Sequence, residues 1–215
     1  MKNTNASSNK TNVTRLVITA MLSAVAASLQ YLEFSVPLVP SFLKLDFSDI
    51  PELIGAFAVG PVAGVLICLV KNLLHCAVSM SFGVGELSNF ILGAVFAFTA
   101  GMIYRYKKTK TGALIACISG AAAMTLISVA TNYFIVYPVY ASLFGGMENI
   151  LNLYKAILPS ADSLIKALVI FNVPFTLVKG LLCSVVTMLI YKPLSKTFVK
   201  MNNSIAKKTT GKGTY

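Results

Sequence analysis

The sequence predicts an all-α integral membrane protein: a six-transmembrane-helix bundle with both termini cytoplasmic. Three observations predict it. Hydrophobic residues make up 56% of the chain and charged residues only 12%, where soluble domains carry about 25% charged residues. The apolar residues fall in blocks, most of them long enough to cross a bilayer. The basic residues gather at the ends of alternate blocks, which is the signature of a cytoplasmic side.

The apolar blocks lie near 14–32, 47–60, 61–80, 87–104, 111–137 and 166–190. The first follows a polar, Asn/Thr/Ser-rich stretch and is long enough to span, so it reads as a retained helix rather than a cleavable signal peptide. The second is short and ends at Gly60-Pro61. Reading 47–80 as one span, or as two joined by a tight Gly-Pro turn, changes the topology, and charge decides between them. With six spans, Lys2, Lys10, Arg15, Arg105, Lys107, Lys108, Lys110, Lys192, Lys196, Lys200, Lys207, Lys208 and Lys212 share one side, thirteen of the eighteen basic residues. With five, the 105–110 cluster and the C-terminal cluster face opposite sides. The positive-inside bias selects six. The organisation expected is a disordered cytoplasmic N-terminus over 1–13, a six-helix membrane domain over 14–195 and a basic cytoplasmic tail over 196–215.

The formal charge of +11 is thereby a topology signal, aided by attraction to anionic lipid, and no nucleic-acid partner is expected. The carboxylates Glu33, Asp46, Asp49, Glu52, Glu86, Glu148 and Asp162 are expected on the external side, none deep in a span. That weighs against a proton-coupled carrier with a buried carboxylate relay. Cys68, Cys76, Cys117 and Cys183 form no CxxC pair and read as small buried apolar residues. His75 has no HExxH partner, and no GxxxxGK[ST] loop is present, so neither metal catalysis nor nucleotide hydrolysis is expected. Nothing points to an enzyme. There is also no inverted repeat of the kind found in many complete secondary transporters.

A few polar residues within the apolar spans are candidates for a site. Lys179 lies near the midplane of the last span, where a charge costs at least ~2.5–3.5 kcal/mol and snorkelling reaches water poorly. It is expected to face a polar cavity or a partner. Thr176 and Asn172 share its helical face, and Pro174 interrupts the backbone ladder in the same turns. Lys71 falls beside Asp49 and Glu52 if the second and third spans form a hairpin, so an ion pair holding that hairpin is its expected role. Asn72, His75 and Ser79 extend a polar edge, as structural or lining groups. Asn132 and Asn89 are deep amides that serve either helix–helix bonding or a ligand. Tyr133 and Tyr137 are either an interfacial belt or a stacking surface. Ala20, Ala24 and Ala27 give the first span a face of small residues for close approach of another helix, within the bundle or in a partner.

These residues also carry a family resemblance. Phe42-Leu43-Lys44-Leu45-Asp46-Phe47-Ser48-Asp49-Ile50-Pro51, then Gly60-Pro61, then Lys71-Asn72-Leu73-Leu74-His75, are followed in order by Gly85-Glu86-Leu87-Ser88-Asn89-Phe90, Asn132-Tyr133 and Pro174-Phe175…Lys179-Gly180. As a set, over about 14–195, they resemble the riboflavin-specific substrate-binding S component of energy-coupling factor (ECF) transporters. The resemblance implies a multi-pass protein of the bacterial plasma membrane. It would bind riboflavin externally as transported ligand, with no cofactor, and deliver it with a transmembrane T subunit and two ABC ATPases. It implies a six-helix bundle whose first external loop helps cap the vitamin. It implies substrate contacts from Leu43, Lys44, Asp46, Asn89, Asn132, Tyr133, Asn172, Thr176 and Lys179, and a T-subunit docking face of Ala20, Ala24 and Ala27. One departure stands out: the family often reads Pro-Phe-Asn-x-x-Lys-Gly, and here Thr176 replaces that Asn. The alternatives are an S component for another vitamin or purine-like solute, or a non-transporting membrane scaffold.

Overall fold

A computed structural model of the chain describes residues 3–190 except 38, 41, 80, 81 and 144, with no side chain described before Asn12. The expected basic tail over 196–215 lies outside the described residues. Helix α1 (Asn3–Gln30) leads into a minimal antiparallel hairpin of β1 (Phe34–Ser35) and β2 (Lys44–Leu45), with Phe34 opposite Leu45. Next come α2 (Asp49–Ala58), α3 (Pro61–His75), α4 (Val84–Tyr106) and α5 (Lys110–Thr131). A π-helical turn, Asn132–Val136, joins α5 to α6 (Tyr137–Leu143) as one apolar run. The short α7 (Met147–Lys155) precedes α8 (Leu164–Ala167), a second π-helical turn, Leu168–Asn172, and α9 over 173–190.

Five of these helical runs are long and apolar enough to cross a membrane: 12–30, 61–78, 84–106, 110–143 and 164–190. The span expected at 47–60 is α2, whose ten residues reach about 15 Å, half of a ~30 Å hydrocarbon core. Its first turn carries Asp49 and Glu52, and its last residues meet a sharp reversal. Gly60 has φ 141°, a conformation that L side chains rarely adopt, and Pro61 begins α3 with its fixed φ. The Gly-Pro hairpin is present, with a half-length first arm.

The two π-helical turns have a local cause. Each is followed within two residues by a proline, Pro138 and Pro174. Proline donates no N–H and its ring crowds the carbonyl four residues back, so the preceding turn widens. The widening places Asn132 and Asn172 at the ends of two facing π-turns.

Two cores result. The first joins α2, α4, α5 and α9 through Leu53, Phe96, Ala116, Ala121 and Cys183. The second, at the hairpin end, is aromatic: Tyr137, Tyr140, Tyr154 and Phe171 gather around α6, α7 and the second π-turn. Gly180 lets α9 approach α5 closely; a Cβ there would stand 3.0 Å from the Ala121 Cβ. Leu16, Met21, Leu126, Phe134 and Leu189 point outward and are well over half exposed. A membrane protein presents such side chains to lipid.

Candidate functional site

A cavity of about 120 Å³ lies beneath the hairpin, between α4, the α5–α6 run and α9. The segment Phe42, Leu43 and Lys44 covers one side. Ser88, Asn89 and Leu92 face it from α4, and Met124, Asn132, Val136, Tyr137 and Tyr140 from the α5–α6 run. Asn172, Phe175, Thr176 and Lys179 close it. One wall is aromatic: the Phe42 ring lies 5.8–6.2 Å from the rings of Tyr137, Tyr140 and Tyr154. Much of the remaining lining is polar: Ser88, Asn89, Asn132, Asn172, Thr176 and Lys179. Among the described residues the side chains of Asn132 and Thr176 make no hydrogen bond within the protein, and both line the cavity.

Lys179 is buried, and its ammonium group is held from two directions. It donates to Asp46 Oδ2 at 2.8 Å and to Asn89 Oδ1 at 3.3 Å, and lies 3.6 Å from Asp49 Oδ2. The Asp46 carboxylate also accepts from the Ser48 N–H at 2.8 Å and from the Ser48 hydroxyl. Burial alone raises the Asp46 carboxyl, but the Lys179 and Lys71 ammonium groups outweigh it and hold Asp46 well below the usual carboxylate range. Behind this pair lies a second. Lys71, fully buried in α3, sits 2.8 Å from Asp49 Oδ1 and 2.6 Å from Glu52 Oε1, and donates to the Ser48 hydroxyl. The expected ion pair across the α2–α3 hairpin is present, and it continues through Asp49 to the cavity lysine.

Asp46, Asp49, Glu52 and Glu86, expected on the external side, are all four buried within the protein. Two lysines, Ser48 and His75 supply the partners that make this burial tolerable. His75 Nδ1 lies 2.8 Å from Glu86 Oε1, and Ser79 donates to Glu86 Oε2 at 2.7 Å. The Asn72 Oδ1 accepts from Gln30 at 3.1 Å. His75, Asn72 and Ser79 are thus structural ties near the hairpin, outside the cavity lining. The cysteines divide: Cys68, Cys117 and Cys183 are buried as expected, whereas Cys76 is exposed because it falls past the end of α3.

Of the nine expected substrate-contact residues, Leu43, Lys44, Asn89, Asn132, Asn172, Thr176 and Lys179 line the cavity. Asp46 sits one layer behind, bonded to Lys179. Tyr133 lies elsewhere: it is 38% exposed and its ring packs on Phe134 at 5.0 Å. The π-turn shifts the helical register at this point, so Tyr137, buried at 1% exposure, takes the inward position instead. Asn172 is held within the protein: its Oδ1 accepts from the Tyr154 hydroxyl at 2.9 Å and its Nδ2 donates to Tyr137 at 3.1 Å. Phe42, Tyr140, Phe175 and Met124 also line the cavity and were not singled out from the sequence. Aromatic and Met residues are common in any apolar run, so composition carried no signal for them.

On α1, Ala20 and Ala24 are exposed, whereas Ala27 is buried at 6% exposure. The small outward residue one turn beyond Ala24 is Ser28, whose hydroxyl donates to the Ala24 carbonyl at 3.0 Å. A larger groove, about 700 Å³, lies at the opposite end of the bundle between α1, the Gly60-Pro61 turn and the end of α4. It is lined by Arg15, Leu16, Thr19, Pro61, Tyr104 and Arg105 among others, and carries three basic residues, Arg15, Arg105 and Lys108.

The comparisons with known proteins agree with this architecture. The family model for the ECF transporter substrate-specific component matches residues 14–191. The chain is 38% identical over 185 residues to the riboflavin transporter RibU of Staphylococcus aureus (strain TCH60), covering 84% of this chain and 90% of that protein. It is 32% identical over 196 residues to the riboflavin transporter FmnP of Bacillus subtilis (strain 168), covering 89% and 97%. A solved structure, the S component of a bacterial ECF transporter, superimposes with a TM-score of 0.69 at 35% identity, covering 86% of this chain and 98% of that one. This family consists of transport components rather than enzymes, and the chain belongs to it as a substrate-specific component of an ECF transporter.

Proposed function

We propose that this chain binds riboflavin from the external side and delivers it for ATP-driven uptake by a transmembrane T subunit and two ABC ATPases. The observation that carries the reading is the cavity with its aromatic wall and polar lining. Phe42, Tyr137 and Tyr140 offer an aromatic surface for a flat tricyclic ring. Asn132, Thr176 and Lys179 offer hydrogen-bonding groups for a polyhydroxyl chain. The relatives named as riboflavin transporters support the same ligand. Thr176 supplies a hydroxyl where the family often has an amide, so its reach to the polyol is shorter. At about 120 Å³ the cavity is below the ~300–1,000 Å³ usual for ligand sites. Loading a flavin therefore requires the cavity to widen, with the ring entering between Phe42 and the tyrosines. Titration of the folded chain with riboflavin tests the assignment.

The proposed setting is the bacterial plasma membrane, with both termini and the 105–110 turn cytoplasmic, on the strength of the thirteen basic residues that this arrangement places inside. The cavity then opens externally. Ala20 and Ala24, exposed on α1, are the proposed T-subunit contact, because small residues let another helix approach closely.

A further inference from the structure

Two cations line the cavity, Lys44 and Lys179. Both are already paired. Lys44 forms an ion pair with Glu33 across the hairpin base. Lys179 has Asp46 Oδ2 at 2.8 Å and Asp49 Oδ2 at 3.6 Å. The buried cluster around Lys179 contains three carboxyl groups, Asp46, Asp49 and Glu52, and two ammonium groups, Lys71 and Lys179. With every group ionised it bears one excess negative charge; with one carboxyl protonated it is neutral. In neither state does it offer a positive charge to a ligand.

Asp46 dominates this balance at the cavity. Its carboxylate is the nearest acid to the Lys179 ammonium, and Ser48 fixes its other oxygen through both backbone N–H and hydroxyl. Asp49 is farther from Lys179 and shared with Lys71 at 2.8 Å. We infer that Asp46 is a specificity-determining residue: by neutralising Lys179 from behind, it tunes the cavity to an uncharged polyol and against the phosphate ester of the same compound. The inference rests on the flavin reading. A phosphate monoester carries a charge of about −1.5 to −2 at pH 7. Entering this cavity, it loses water without gaining an unpaired cation, and it meets the Asp46 carboxylate one layer beyond Lys179. A hydroxyl at the same position needs only the hydrogen bonds that Lys179 and its neighbours still have to offer. A lysine in a binding cavity ordinarily suggests an anionic ligand; the carboxylate behind this one reverses that expectation.

The test is a pair of titrations, with riboflavin and with riboflavin 5′-phosphate, on the full chain and on Asp46→Asn. The full chain is expected to bind riboflavin the more tightly. Asp46→Asn leaves Lys179 with only Asp49 and Asn89, so the ratio of the two Kd values is expected to move towards the phosphate ester by about tenfold, which is about 1.4 kcal/mol. The move should shrink at high salt and vanish in Asp46→Asn/Lys179→Met, which has no ammonium to release. An unchanged ratio in folded Asp46→Asn, or the same move in the double variant, overturns the inference without bearing on whether the full chain binds riboflavin. If Asp46→Asn does not fold, Asp49→Asn removes the second carboxylate from the same ammonium. It is expected to shift the ratio the same way by about threefold, and no shift there overturns the inference. A full chain that binds neither flavin overturns the flavin reading itself, which is a separate and recognisable result.

Discussion

Lys179 and Asp46 meet at 2.8 Å across 133 residues of sequence. The contact ties the end of the β1–β2 hairpin to the middle of the last helix, beside the cavity. It makes Lys179 a structural partner as well as the proposed ligand donor, and those roles separate by experiment.

Lys179→Met keeps the length and removes the charge and the donors. Loss of a charge-assisted hydrogen bond to the ligand is expected to cost about 1.5–3 kcal/mol of riboflavin binding, roughly ten- to a hundred-fold in affinity. Stability also falls, because Asp46 stays buried without its ammonium partner. Unchanged affinity in the folded fraction, by fluorescence titration, removes Lys179 from the ligand site.

Lys71→Met tests the deeper pair alone. Lys71 does not line the cavity, and its loss leaves Asp49 and Glu52 facing each other with less compensation. Removing one partner of a buried pair typically costs about 3–5 kcal/mol. Thermal unfolding in detergent is expected to shift strongly downward. An unshifted transition contradicts the role of this pair in holding the α2–α3 hairpin.

Ala24→Trp addresses energy coupling. Ala24 is exposed on α1, so a large ring there enters no packed space within the bundle. Riboflavin binding by the isolated chain is expected to persist, while cellular uptake falls sharply and co-purification with T and ATPase subunits weakens. Wild-type uptake at equal expression counts against the docking face.

Orientation is open to cysteine labelling on a cysteine-free background. A cysteine at Thr109 is expected to be protected from an external reagent and one at Ser160 to be labelled. The reverse pattern contradicts cytoplasmic termini.

The long spans were legible because hydropathy is a local property: the runs at 84–106, 110–143 and 164–190 each announce themselves within their own residues. The shortness of α2 was legible too, because Gly60-Pro61 closes the second block; that its ten helical residues are too few to cross came only with its bounds. Asn172, Thr176 and Lys179 were legible as one face because their spacing of four and three follows the helix. Asp46 as the partner of Lys179 was not, because no local pattern specifies a contact so distant in sequence. Tyr133 came with Asn132 from the family resemblance, which carries no information on side-chain direction, and the π-turn over Asn132–Val136 leaves its ring turned away from the cavity. Ala20, Ala24 and Ala27 were legible as one stripe, but which edge of it packs within the bundle was not: Ala27 stands on the covered edge.

The most direct test of the proposed function is riboflavin titration of the purified chain, with folding verified independently. Saturable binding of one flavin per chain is expected, with flavin fluorescence quenched by the aromatic wall of Phe42, Tyr137 and Tyr140. Folded protein at micromolar concentration that neither quenches riboflavin nor gives calorimetric heat of binding would contradict the riboflavin assignment.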